Sequence, residues 1–223
     1  MAGSEGWQRA FSKGGEGLSC GMSFEQMSGS KAPRLTFGEA TMFVGFRQVG
    51  QTQDPVVARF DKGQVTFCQY HETQGPDSRA HGLTWDGGAK AYVVYTTVGG
   101  GTDLEKAAKG QWLDSYGNGG GSSKVSVLGE VDAATGALSR ATFIIAKKKD
   151  GKTNSHGPAD APTVLEDGTI LFVGASAFQP MDPDRTIMEC TDYPFDTRYI
   201  FSTDLKTLLC SSSTNCVSKA PCP

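Results

Sequence analysis

The 223-residue chain is expected to be all-β, an array of four-stranded antiparallel units. Three stretches of one shape carry that expectation: residues 35–47 (LTFGEATMFVGFR), 83–97 (LTWDGGAKAYVVYTT) and 162–177 (PTVLEDGTILFVGASA). Each sets a short β-rich run against a second apolar run across a turn. In the third, Asp167-Gly168 predicts a tight hairpin turn, with φ > 0 at both positions. A second set of hairpins follows, each with an aspartate at its turn. These are Asp61, Asp132 and Asp204, separated by 71 (132 − 61) and 72 (204 − 132) residues.

In chain order, the first unit takes strands from 35–37, 41–46, 56–60 and 64–70. The second takes them from 83–85, 91–96, 125–131 and 138–145, and the third from 163–165, 169–175, 198–202 and 207–210. The turn aspartates read as structural, because Asp bonds its own backbone two residues on and tolerates turn geometry. Residues 1–33 are polar and Gly/Ser-rich and read as an arm, with one strand over 18–24. Residues 34–213 form the main domain, and 214–223 a cysteine-bearing tail tethered to its surface. Two long connections, 98–124 and 176–197, interrupt the second and third units; loops beyond about 12–15 residues carry function or disorder. The first contains a helical turn or two over 102–109 and linker-like glycine runs at 99–101 and 119–121.

A net charge of −3 and a pI near 5.6 leave no basic footprint, which argues against a nucleic-acid partner. The one concentrated positive run, Lys147, Lys148, Lys149 and Lys152, reads as a solvated loop. No apolar run approaches the ~20 residues of a membrane span, and the N-terminus lacks the apolar stretch of a signal peptide. Six cysteines, three of them in the last fourteen residues, point to disulfides and a secreted or otherwise oxidising setting. Free thiols in a cytoplasmic protein are the alternative.

Candidate site residues come from two sources. His81 and His156 each precede a glycine just before the first strand of a unit, so both are candidates for a ligand-facing or metal-binding pair with Glu72, Asp77 or Asp160. Asp182 and Asp184 in MDPDR supply oxygen ligands at a spacing that suits a divalent cation, without the glycine and distal glutamate of an EF-hand. The competing reading gives these histidines to turn hydrogen bonds and the aspartates to a solvated loop. Trp112 and Tyr116 in the first long loop, with Phe178, Tyr193 and Phe195 in the second, mark a binding surface if those loops project. If the loops fold back, the same rings cover sheet edges. No nucleophile elbow, zincin, P-loop or dinucleotide fingerprint occurs.

The repeated unit over 34–213 resembles secreted bacterial and lectin-type β-propellers. The stretch 59–67 (RFDKGQVTF) is similar to the sialidase Asp-box turn, though it lacks the leading serine and the tryptophan, and no sialidase catalytic residue carries over. The resemblance implies a propeller-like array of about three blades, near 34–72, 82–147 and 162–213. Closed propellers have about four to eight blades, so three would leave sheet edges exposed. Either the N-terminal segment adds strands, or two chains join as a homodimer, which is the preferred solution. The leading functional expectation is a non-enzymatic binding module for a peptide, small molecule or partner protein. A hydrolase or lyase with a His/carboxylate-lined central cavity comes second, and a structural subunit of a larger assembly third. No cofactor is expected beyond a divalent metal as the minor alternative.

Overall fold

The computed structural model of the protein describes residues 6–73, 75, 77–119 and 123–223; most of the 119–121 glycine run lies outside them. With 51% of residues in strands and 6% in helices, the protein is all-β, and none of its antiparallel sheets closes into a barrel. The chain enters through β1 (Gln8–Phe11) and α1 (Phe24–Ser28). It then builds a first sheet from β2 (Arg34–Phe37), β3 (Ala40–Val49), β4 (Thr52–Asp61) and β5 (Gln64–Tyr70). A second sheet holds β6 (Ser78–Trp85), β7 (Lys90–Val98), β8 (Lys124–Asp132) and β9 (Leu138–Ile144), with α2 (Thr102–Ala108) in the β7–β8 connection. Short strands β10 (Ala146–Lys147), β11 (Thr153–Asn154) and β12 (His156–Pro158) lead to the third sheet. Its remaining strands are β13 (Thr163–Val164), β14 (Ile170–Ser176), β17 (Phe195–Phe201) and β18 (Leu208–Ser213). Between β14 and β17 lie β15 (Gln179–Pro180) and β16 (Glu189–Cys190); β19 (Cys216–Val217) is in the tail.

All three units are meanders whose strands pair as the sequence predicts. Asp61, Asp132 and Asp204 each sit at the hairpin joining the third and fourth strands of their sheet. The Asp167-Gly168 turn differs from expectation. Only Gly168 has φ > 0, and the Thr169 carbonyl accepts from the Leu165 N–H, so the loop has three residues closed by a left-handed glycine.

The second sheet is the middle layer. β6 packs across β3 and β4 of the first sheet, while β12 lies against β7 and β8. Burial on both faces explains the uninterrupted apolar run Ala91–Tyr95, which lacks the alternation of a one-sided strand. β17, by contrast, alternates over its first half, turning Thr197 and Tyr199 inward and Asp196 and Arg198 outward. Polar bridges tie the layers: Arg59 Nη1 donates to Ala133 O (2.7 Å), Ser126 Oγ to His156 O (2.9 Å) and Thr84 Oγ1 to Pro162 O.

The described part of residues 1–33 is woven into two sheets. β1 adds to the edge of β6, in register from Gln8 opposite Trp85 to Phe11 opposite Gly82. A Cβ on Gly82 would lie 2.8 Å from both Ala10 O and the Phe11 ring, so this close approach requires glycine there. Residues 18–24 are not a strand. Ser23 and Gln26 form a capping box that starts α1 instead, and Phe24 packs on Phe43 and Phe60 under the first sheet. Three disulfides brace the chain: Cys20–Cys68, Cys190–Cys216 and Cys210–Cys222. They are consistent with an oxidising, extracellular environment. No described helix is long and apolar enough to cross a membrane.

Candidate functional site

The histidines lie inside the protein. His71 Nε2 bonds the Gly136 carbonyl (2.7 Å), which can only accept, so this nitrogen carries the proton and Nδ1 receives the Tyr95 hydroxyl (2.7 Å). By the same logic His81 Nδ1 donates to Ser12 O (3.3 Å), leaving Nε2 to accept from Thr96 Oγ1 (2.7 Å). His156 stacks on Tyr199 and lies tilted against Phe172, with Nε2 2.8 Å from Thr197 Oγ1. Burial lowers the pKa of His71 and His81 to about 4 and that of His156 to about 3.

Two of the three proposed carboxylate partners, Glu72 and Asp160, are engaged elsewhere, while Asp77 has its Oδ1 buried without a hydrogen-bond partner among the described residues. Glu72 is buried and accepts the Asp103 and Leu104 N–H groups, capping α2 where Gly101 has no side chain to do so. Asp160 pairs with Arg9 at 3.0 Å. Asp182 is buried and receives the Ser211 and Ser218 hydroxyls (2.9 and 2.6 Å), which pins the tail to the 176–197 loop. Asp184 pairs with Lys219 at 2.8 Å. Among the described residues, no three His, Cys, Asp or Glu side chains gather as a metal site would need.

The aromatic candidates divide. Trp112 (3% exposed) donates its indole N–H to Pro183 O and packs on Tyr199 and Phe201, while Tyr116 (6%) donates to Ser123 O. The 98–124 loop therefore folds back and fills space beside the third sheet. Phe195 (7%) is buried as well, its ring edge-on to Tyr193 at 6.0 Å. Tyr193 (70%) and Phe178 (39%) remain open to solvent.

Phe178 lines the feature that singles out one surface, whereas Tyr193 lies outside its lining and meets it only through the Phe195 ring. Antiparallel pairing of β10 with β15 sets Lys147 opposite Gln179, carrying the lysine run up to the 176–197 loop. A cleft of about 540 Å³ results, with Lys148, Lys149 and Asp150 on one wall and Phe178, Gln179, Thr191 and Phe195 on the other. Cys190 also lines it, so its disulfide to Cys216 is part of the wall. Lys148 Nζ lies 5.3 Å from the centre of the Phe178 ring. Lys152 is paired with Asp150 (3.1 Å), whereas Lys147, Lys148 and Lys149 have no ion-pair partner among the described residues.

Sequence reading found the rings and the lysines separately but assigned the lysines to solvent. Nothing in the local pattern signals the β10–β15 pairing, because each strand is two residues long and 32 positions (179 − 147) separate the partners. The cleft offers the Lys148 and Lys149 cations and the Phe178 ring around a recess sized for a small ligand. No protein-family model matches the sequence, and no curated protein is similar to it, so the reading of this cleft rests on its residues alone.

Proposed function

We propose that the protein is a non-enzymatic binding module that takes its ligand in the Lys148–Phe178 cleft. One observation carries this: the exposed Phe178 ring and the unpaired Lys148 and Lys149, far apart in sequence, converge on one recess. Such convergence suits recognition, since aromatic faces supply contact area and cations supply orientation. A peptide, a small molecule or a projecting group of a partner protein would all use these elements. The three meander sheets, in this reading, are the blades of a propeller-like scaffold that holds the 176–197 loop. Two copies complete the array, joining at β5, the edge strand on which Val65 is 61% exposed.

The test is a thermal-shift screen of the oxidised protein against oligosaccharides, short peptides and small organic anions. A bound ligand at a hundred times its Kd adds about 2.7 kcal/mol of stability. At least one class should raise the melting temperature of the wild type and fail to do so for Phe178→Ala/Lys149→Gln. Equal shifts for both proteins, or none across the panel, would overturn the cleft reading.

A further inference from the structure

From the three kinds of contact in the cleft we infer that its ligand is an acidic sugar, the uronate unit of a charged polysaccharide. This rests on the cleft being the binding site. The unpaired Lys148 and Lys149 ask for an anion, and charge-assisted hydrogen bonds to a carboxylate are the strong contacts available to them. Asp150, in the same wall, pairs with Lys152 and also feels the charge of Lys148, so it offsets part of that demand and leaves Lys149 as the freest cation. The Phe178 ring, with Phe195 beside it in the wall, asks for a flat apolar face, which the C–H face of a pyranose ring provides. The Gln179 amide and the Thr191 hydroxyl line the same recess and suit the hydroxyl edge of that ring.

Size and strand geometry select against the other ligands. The volume, about 540 Å³, falls within the ~300–1,000 Å³ of small-ligand sites. A globular partner would cover roughly 800 Å² per side. An extended peptide binds best along a free strand edge. Here β10 is flanked on both sides by β11 and β15, and β15 and β16 are two residues each, too short for a ladder. An aromatic acid matches the rings and lysines but leaves Gln179 and Thr191 without hydroxyl partners.

Calorimetric titration of the intact, oxidised chain with trigalacturonate, a sulfated disaccharide, benzoate and maltotriose separates these cases. Trigalacturonate should bind, and more weakly as salt rises. Lys148→Gln/Lys149→Gln should cost roughly tenfold or more in affinity, the factor expected for one lost charge-assisted hydrogen bond. Phe178→Ala, at an exposed position in the wall, should weaken binding with an unchanged circular dichroism spectrum. Preference for the sulfated sugar would overturn the uronate assignment, and preference for benzoate the sugar. Equal binding of maltotriose would remove the acidic class and leave the cleft in place. Trigalacturonate binding indifferent to all these substitutions would put the site elsewhere and overturn both readings. Absence of any sugar binding would overturn this inference alone, with the thermal-shift screen still deciding on the cleft.

Discussion

Each histidine ring is kept neutral by its surroundings, and acid is the condition that exposes this. The folded pKa values, about 4 for His71 and His81 and about 3 for His156, lie below the 6.5 of an exposed ring. Between those limits the unfolded chain takes up protons that the folded chain refuses. Stability from these groups is therefore complete above pH 6.5 and is lost as pH falls toward 4. The maximal slope is about 1.4 kcal/mol per pH unit for each ring. Urea midpoints measured from pH 7 to pH 4 should fall steadily, and His156→Gln should flatten the profile by about one proton. A profile that is level across this range would contradict the buried, neutral assignment. At the same scale, the turn following the third strand shows how one conformation can be met by different residues. Gly63 and Gly136 have φ of 74° and 75°, while Leu205 reaches 60° in the third sheet. Leu205 is fully buried, so packing holds a residue that intrinsic preference would not put there. That position was illegible as a turn glycine for this reason, although Asp204 beside it marked the turn correctly.

At the scale of elements, the N-terminal segment depends on tertiary contacts for its order. α1 has five residues, too few to persist alone, and it is held by Met27 and Phe24 beneath the first sheet and by the Cys20–Cys68 bond. Replacing both cysteines by serine should cost about 2–5 kcal/mol, a fall of roughly 5–15 °C in melting temperature for a chain of this size. Amide exchange should rise first over residues 18–32. A melting temperature within a degree or two of wild type would show that the apolar contacts alone suffice. The same region marks where the sequence was hardest to read. Its apolar residues are isolated along the chain, and their shared partner, the face formed by Phe43 and Phe60, is contributed by strands that follow. The hairpins were legible because their partners are adjacent in sequence, and their turns carry chemistry that acts locally.

For the whole molecule, the meander order of the four strands of each unit could be read from the chain, whereas the addition of β1 to β6 and of β12 to β14, and the order of layers, could not. The middle position of the second sheet comes from β6 crossing the first sheet and β12 reaching β7 and β8, contacts without a local signature. The recess between Lys148 and Phe178 comes from another such contact, the β10–β15 pairing, which is why the lysines alone suggested only a charged loop. Assembly belongs to this scale too. If two copies join at β5, light scattering should give about twice the 23.6 kDa chain mass at high concentration. Val65→Lys, a charge on an edge strand, should return the chain mass. A single-chain mass at every concentration would remove the dimer.

The Cys190–Cys216 bridge has a consequence for how a guest is received. If the cleft is a binding site, the covalent link holds the Cys190 side of its wall in place before any guest arrives. Discrimination on that side then rests on whether a molecule fits a surface already set, and less ordering entropy is left for association to supply.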